Sequence, residues 1–374
     1  MKREFDVLVI GAGIVGTACT LELAKTGLTV AVLEGDTVGS GATAAGMGHI
    51  VVMDDSPAQL ALTRYSQLLW DELVQSDPRP HEYHPCGTLW LAADAEEMAG
   101  VELKQELYLS HGIPCQPIGR EELYRMEPNV RPGLEGGFLV PGDSVVYPPS
   151  SAAYLLSKAK NFDTTFIRGQ VTELVPGGVR LADGATLKAE NVVVAGGWNS
   201  KKLLPELPMR AKKGHLVITD RYPDFVKHQL VEMAYIKNAH ASEGDSVAFN
   251  VQPRPTGQVL IGSSRQYDRE DASIDFAILG VMLRQAFGYM PGLAELSTIR
   301  VWTGIRPATP DGLPLIGPYP AQAGVWLATG HEGLGITTAL GTARLLAAQL
   351  TGQPAEIATE PYLPARFSEE LAHV

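Results

Sequence analysis

Six residues, GAGIVG at positions 11–16, constrain this chain more than anything else in it. They follow the short apolar run FDVLVI, which has the length and content of a buried strand, and precede a helical pattern over Thr17–Thr26. LTVAVLE then supplies a second strand, so the opening of the chain reads as a β-α-β unit. Gly11, Gly13 and Gly16 stand at the GxGxxG spacing. In such a unit the first glycine permits the tight turn, the second lets backbone approach a pyrophosphate, and the third lets helix and strand pack closely. The helix N-terminus adds positive potential and N–H donors for that anion. Glu34 closes the second strand 18 residues after Gly16, where a carboxylate accepts hydrogen bonds from ribose hydroxyls. Strand, glycine turn, helix and acid together predict a dinucleotide site.

NAD and FAD share this fingerprint, and the next segment bears on the choice. GDTVGSGATAAGMGH, residues 35–49, is a long loop of small residues where an NAD unit usually runs straight into its next helix. Small side chains let backbone lie close to a flat, extended ligand. After the loop, Ser56, Pro57 and Gln59 form an N-cap, a first-turn proline and a capping-box partner, predicting a helix to about Gln75. Asp54 and Asp55 before it read as acids favouring that helix N-terminus rather than as catalytic groups.

Further helical patterns cover 94–110, 119–126, 148–160 and 273–287, with strand-like runs near 86–92 and 136–140. Short strands return in TTFIRG, QVTEL, GVRLADGATL and NVVVAGG, then longer alternating ones in AKKGHLVITD, SVAFNVQPR and GQVLIGSSR. VWLATG and a glycine-opened helix close the chain. Nucleotide-type segments thus occur at the start, middle and end, which predicts an α/β fold, α+β overall. A Rossmann-like dinucleotide domain of residues 1–55, 148–210 and 300–374 is interleaved with an antiparallel-sheet domain of 56–147 and 211–299. With 45% hydrophobic residues a chain of 374 buries a large core. Its formal charge of −12 disfavours general nucleic-acid or anionic-membrane binding. Cys19, Cys86 and Cys115 are far apart and form no CxxC pair, so neither a disulfide framework nor a cysteine-built cluster is expected. No run reaches membrane-spanning length and no leader pattern is visible, so a cytoplasmic location is the expectation.

The segment WTGIRPATPDGLPLIG, 302–317, places one cation, Arg306, among glycine, proline and apolar residues. A guanidinium does not shed its charge, so in an interior segment it must face an anion, from a ligand or from an internal salt bridge.

In this order, GAGIVG with Glu34, SGATAAGMG, GQVTEL, VVVAGGWNS, PRPTGQVLIGSS, GIRPATPDGLPLIG and ATGHEGLGIT resemble the FAD-dependent amino-acid and amine oxidoreductases. That family includes glycine oxidase, sarcosine oxidase and D-amino-acid oxidase. AAGMGHIVVMDDSPAQLALTRYS and GHEGLGITTALGTA look most like the flavoprotein subunits of D-hydroxyproline dehydrogenase and of related opine or cyanide-forming dehydrogenases.

The resemblance implies FAD, with Ile14 and Val15 meeting its pyrophosphate through backbone, and Glu34 and Gly35 the adenosine ribose. It places Ala42, Thr43, Gly46, Met47 and Gly48 around the flavin, Val171 at the adenine, and Gly196 in the VVVAGGWNS return. Gly330, His331, Glu332, Gly333, Leu334, Gly335, Ile336 and Thr337 match the turn of the last helix that reaches the flavin pyrimidine end. Arg306 matches the arginine that forks onto the substrate carboxylate. His49 either biases the amine or flavin electrostatically or serves as a loop hydrogen-bond donor. Where the sarcosine-oxidase branch has a flavin-tethering cysteine, this chain has Gly304, so non-covalent FAD is implied. An aromatic residue of the glycine-oxidase pocket falls at Asn250, and Tyr267 and Trp302 are either pocket walls or packing.

The implied reaction is hydride transfer from Cα of a small D- or secondary amino acid, 4-hydroxy-D-proline foremost, with electrons passed to an acceptor other than oxygen. The implied partners are a larger flavoprotein-type subunit and a small iron–sulfur subunit. The alternatives are a stand-alone oxidase making peroxide, and an FAD-holding electron-relay or structural subunit.

Overall fold

The computed structural model describes residues 4–233 and 244–368. The predicted architecture is present: a Rossmann-like α/β unit interleaved with a second unit built on a largely antiparallel sheet. In the first sheet the strands run in the order Leu315–Pro318, Val325–Thr329, Thr186–Val194, Glu4–Ile10, Val30–Glu34 and Thr164–Arg168. Glu4–Ile10 is central and parallel to both neighbours. Such a strand must be apolar on both faces. Val7 and Val9 enter one core with the helices Ile14–Lys25, Pro148–Ala159 and Gly335–Thr351, whereas Leu8 and Ile10 enter the core on the opposite face.

The second sheet orders Thr298–Ala308, Arg210–Arg221, Gln258–Tyr267, Ser246–Pro253, Gln229–Glu232, Thr88–Ala92, Gly136–Val140 and Gln116–Gly119. Its neighbours are antiparallel except Gln229–Glu232, which lies parallel to Thr88–Ala92. The helix Phe276–Tyr289 covers one face, burying Leu279, Met282 and Ala286 against Phe249, Val251 and Ile261. The other face is turned towards the first unit.

Two of the expected borders move. Residues 300–308, assigned to the dinucleotide unit, form the edge strand of the second sheet, paired with Arg210–Arg221 along its length. The helix Pro57–Ser76, assigned to the substrate unit, packs in the first core. Its Trp70 Nε1 donates to the carbonyls of Ile336 and Thr337 at 3.2 and 3.0 Å. Periodicity reveals an amphipathic face but not which partner covers it. Of the two expected domains, residues 1–3, 234–243 and 369–374 lie outside the described residues.

Locally the sequence is a good guide. Ser56 Oγ accepts from Gln59 N at 3.1 Å, which is the expected cap. The return bond of a capping box is not made, because Gln59 turns its side chain into the cavity described below. Asp54 does not serve the helix end and instead pairs with buried Lys104. Among the described residues no helix is long and apolar enough to cross a membrane.

Candidate functional site

Between the two units lies a cavity of ≈1440 Å³, running from the glycine turn to the inner face of the second sheet. At the glycine turn a Cβ on Gly16 would lie 1.9 Å from the Gly11 carbonyl oxygen, so only glycine lets helix Ile14–Lys25 sit this close to the strand. Gly11 holds φ +102°, a conformation open to glycine, and a Cβ there would strike the Ala195 carbonyl at 2.7 Å. Gly13 caps the helix without a side-chain hydrogen bond of its own. Glu34 reaches back so that its Oε2 accepts from Ala12 N at 2.8 Å. A carboxylate thus stands at the lip of the turn, on the cavity wall.

Thr43 fixes the loop after the second strand: its Oγ1 accepts from Ile14 N at 3.0 Å. Gly13, Ile14, Val15, Glu34, Gly35, Ala42, Thr43, Gly46 and Met47 all line the cavity, as do Val171 and Gly196. A Cβ on Gly46 would meet Ile336 Cδ1 at 2.5 Å, which brings the loop directly onto the last helix. That helix begins after Leu334 with no side-chain cap, and His331, Glu332, Gly333, Leu334, Gly335 and Ile336 line the cavity. Gly11 is also part of the lining. Four other expected positions, Gly16, Gly48, Gly330 and Thr337, stand behind the wall. Gly48, with φ +90°, lets the chain pass within van der Waals reach of the Val146 carbonyl, and Gly330 makes a turn at φ +79°. Thr337 Oγ1 donates to the His49 carbonyl at 2.9 Å.

The far wall is the second sheet. Side chains alternate along a strand, so one face collects Arg210, Lys212, Gly214 and Leu216 from one strand and Ser263, Arg265 and Tyr267 from the next. Gly304 and Arg306 come from the edge strand, and Asn250, Gln229, Val231, Thr88 and Trp90 from strands beyond. Arg306 lies flat over Gly214: a Cβ there would be 2.5 Å from its Nη2 and 2.7 Å from its Cζ. Its Nη1 donates to the Ser264 carbonyl at 3.1 Å. Gly304 has no space for a side chain, since its Cβ would lie 2.5 Å from Ala45 Cβ. Tyr267 is a cavity wall, with Lys212 Nζ 5.1 Å from its ring centre. Trp302 packs instead with Met47 and Leu216 and donates to the Ala45 carbonyl at 3.2 Å.

Charge is concentrated here. Glu332, held at φ +49°, accepts from Lys212 Nζ at 3.0 Å. Burial works to raise its pKa, but the Lys212, Arg306 and Arg265 cations outweigh that and hold it down at about 2. Lys212, Arg306 and Arg265 thus gather about this one carboxylate on the cavity wall. His49 is lowered to about 4 by burial and by the Arg306 charge, against the Gly333 carbonyl and Glu332, which raise it. It is therefore neutral at pH 7. Burial lowers His331 to about 3, and its Nε2 lies 2.9 Å from Thr342 Oγ1.

Lys212, Arg265, Ser263 and Gly214 were not singled out by sequence reasoning. A period-two reading of RAKKGHL against SSRQY carries the only signal for them, because each residue is on the cavity face only through strand alternation.

Residues 6–349 match the family model described as FAD dependent oxidoreductase, abbreviated DAO. A glycine oxidase of Pseudomonas aeruginosa is 30% identical over 96% of this chain and 98% of that protein. The hydrogen cyanide synthase subunit HcnC of Pseudomonas aeruginosa is 25% identical over 100% of this chain and 99% of that protein. The crystal structure of glycine oxidase from Geobacillus kaustophilus superposes with a TM-score of 0.86 at 25% identity, covering 98% of this chain and 99% of that one. The chain belongs to the FAD-dependent oxidoreductase family. It is an FAD-using enzyme, and the glycine turn, the ribose-side carboxylate and the uncapped last helix fit that cofactor.

Proposed function

We propose that this enzyme oxidises the C–N bond of a small amino acid, D-configured or secondary, and passes the electrons to an acceptor other than oxygen. Our particular reading of the substrate is 4-hydroxy-D-proline. Oxidation of an amino acid or amine is the activity that the names of the glycine oxidase relatives carry. The observation that carries the reading is Arg306, its guanidinium spread on Gly214 in the cavity wall beside Lys212 and Arg265. A planar fork grips a carboxylate through two parallel hydrogen bonds and so fixes the Cα–H direction as well as the position. Bound FAD, untethered because Gly304 offers no thiol and no room for one, supplies the hydride acceptor at N5.

The chain's own residues do the rest. Arg306 orients the substrate, and Leu216, Val231, Met47 and Leu334 are the apolar part of a wall that keeps water from the reacting carbon. The substrate amine must be unprotonated to yield an imine, and nearby cations lower an ammonium pKa. Lys212 and Arg265 contribute to that field, and Glu332 moderates it. Neutral His49 adds no charge and acts by hydrogen bonding at most. The turn 331–336 opens a helix with no side-chain cap, and its N–H groups and dipole would stabilise negative charge on a reduced flavin held beside it.

Anaerobic mixing with candidate amino acids tests the reading. Bleaching of the flavin absorbance is expected with a small D- or secondary amino acid, and its absence with every amino acid tried removes the proposal. Peroxide formation under air at the rate of turnover would favour the second reading, a stand-alone oxidase, which the glycine oxidase relatives support. Partner subunits, a larger flavoprotein and a small iron–sulfur protein working with this chain in the cytoplasm, belong to the first reading. The subunit status of HcnC supports them. Co-elution from the native host tests them.

A further inference from the structure

The inner face of the second sheet changes character across its width. Arg306, Lys212 and Arg265, from the first three strands in spatial order, are cations. Ser263 on the third strand, Asn250 on the fourth, Gln229 on the fifth and Thr88 on the sixth are neutral hydrogen-bonding groups. The polar residues at the far side are already engaged: Gln229 Nε2 donates to Thr88 Oγ1 at 3.3 Å and to the Ser144 carbonyl at 3.2 Å.

Asn250 and Ser263 are different. They are 8% and 3% exposed, and both line the cavity. Among the described residues Asn250 Oδ1 and Ser263 Oγ have no hydrogen-bond partner. A buried amide or hydroxyl oxygen left without a partner is costly, and most such groups in native proteins are satisfied. Asn250 pairs with Gly262, the residue before Ser263, and both Asn250 and Ser263 line the cavity. Both oxygens belong to the neutral part of the cavity wall.

Its distance from Arg306 sets the ligand's size. The guanidinium lies over Gly214 on the second strand and donates to Ser264 on the third, while Asn250 is on the fourth. Across the sheet the gap is one to two strand spacings, and along it two residues separate Ser264 from Gly262, so the two groups stand roughly 8–12 Å apart at the backbone. That spans a small amino acid from its carboxylate to a group on its side chain or ring.

We propose that Asn250 and Ser263 recognise a hydroxyl on the substrate, and that this pair makes the enzyme select a hydroxyl-bearing small amino acid over its deoxy analogue. A hydroxyl matches both oxygens at once, donating to Asn250 Oδ1 and accepting from the Ser263 hydroxyl. A methylene satisfies neither. A carboxylate would bring a second acceptor against Asn250 Oδ1. Sites that hydrogen-bond a substrate hydroxyl discriminate strongly against analogues lacking it, because the buried partners are then left bare. The inference rests on the amino-acid oxidation proposed above and adds the recognised group and the residues that recognise it.

The test compares the pairs 4-hydroxyproline with proline and serine with alanine, each as D and L isomers and both 4-hydroxy epimers. The readouts are the anaerobic rate of flavin bleaching and the apparent dissociation constant from its concentration dependence. The wild type is expected to favour one hydroxylated member over its partner by at least about tenfold, chiefly through tighter binding. Asn250→Leu, close in volume, and Ser263→Ala should each bring the ratio to within about threefold by loss on the hydroxylated substrate, with the deoxy partner unchanged or improved. A ratio unaltered in both variants, with the yellow holoenzyme intact, overturns the inference. So does a wild type that oxidises deoxy substrates at least as well. Should Asn250→Leu not fold, Ser263→Ala and Asn250→Asp decide it by the same ratio. Failure of the wild type to bleach with every amino acid instead removes the underlying reading.

Discussion

At the glycine turn the chain meets the cavity with backbone, whereas on the second sheet it meets the cavity with charged and polar side chains. Gly11, Gly13, Gly16 and Gly46 matter for what they lack, since a Cβ at Gly16 or Gly46 would fall within 2.5 Å of a neighbouring atom. Arg306, Lys212, Glu332 and Asn250 matter for what they carry, and one glycine among them, Gly214, exists to let Arg306 lie flat. The first arrangement suits a ligand whose shape never changes. The second can be altered one side chain at a time without disturbing the fold, and so is where related enzymes can differ in substrate.

That contrast breaks if changes at one end spill into the other. The largest effect is expected for Gly16→Val, whose Cβ would sit 1.9 Å from the Gly11 carbonyl oxygen. It should give a protein without bound FAD, read from the ratio of flavin to protein absorbance. Arg306→Ala comes next: kcat/KM should fall about a hundredfold or more, the scale of losing a charged, bidentate hydrogen bond, while the flavin stays bound. Arg306→Lys should still raise KM by at least about tenfold, because an ammonium lacks the fork. Loss of FAD from either Arg306 variant would show that the two ends are not separable.

Glu332→Gln sharpens the comparison. Removing the carboxylate that three cations share should tighten binding of a carboxylate ligand such as benzoate by roughly three- to tenfold, followed by spectral titration. Weaker binding instead would mean that Glu332 chiefly holds Lys212 in place. The smallest effect concerns the turn joining the two ends. His331 is depressed to about 3 by burial, from an ordinary value of 6.5. A depressed histidine stabilises fully above the unfolded value, and that contribution is lost as pH falls from about 6.5 towards 3. Wild-type Tm should therefore drop on acidification from pH 7 to 5. His331→Gln should drop less, by roughly 2–4 °C, as its amide keeps a partner for Thr342 without taking up a proton.

Much of the nucleotide end was legible. The β-α-β unit lies where its local pattern puts it, and Glu34, the loop through Met47 and the turn 331–336, the last two pointed to by the family resemblance, line one cavity. The borders at 56 and 300 were not legible. Helix Pro57–Ser76 is amphipathic whichever unit it packs on, and strand Thr298–Ala308 alternates whichever sheet it joins. Arg306 stood out only because it was a lone cation in an apolar, glycine-rich stretch. Lys212 and Arg265 sat among other charged and polar residues and carried no such contrast.

The sequence by itself determined the fold class, the dinucleotide fingerprint and the presence of a lone arginine in an apolar, glycine-rich segment, since these depend on spacing within one segment. Only the tertiary structure decided that Arg306 shares its wall with Lys212, Arg265, Glu332 and Asn250. Those residues come from separate strands and a distant turn, brought together by strand register, and register is set by pairing between segments that no single stretch of chain specifies.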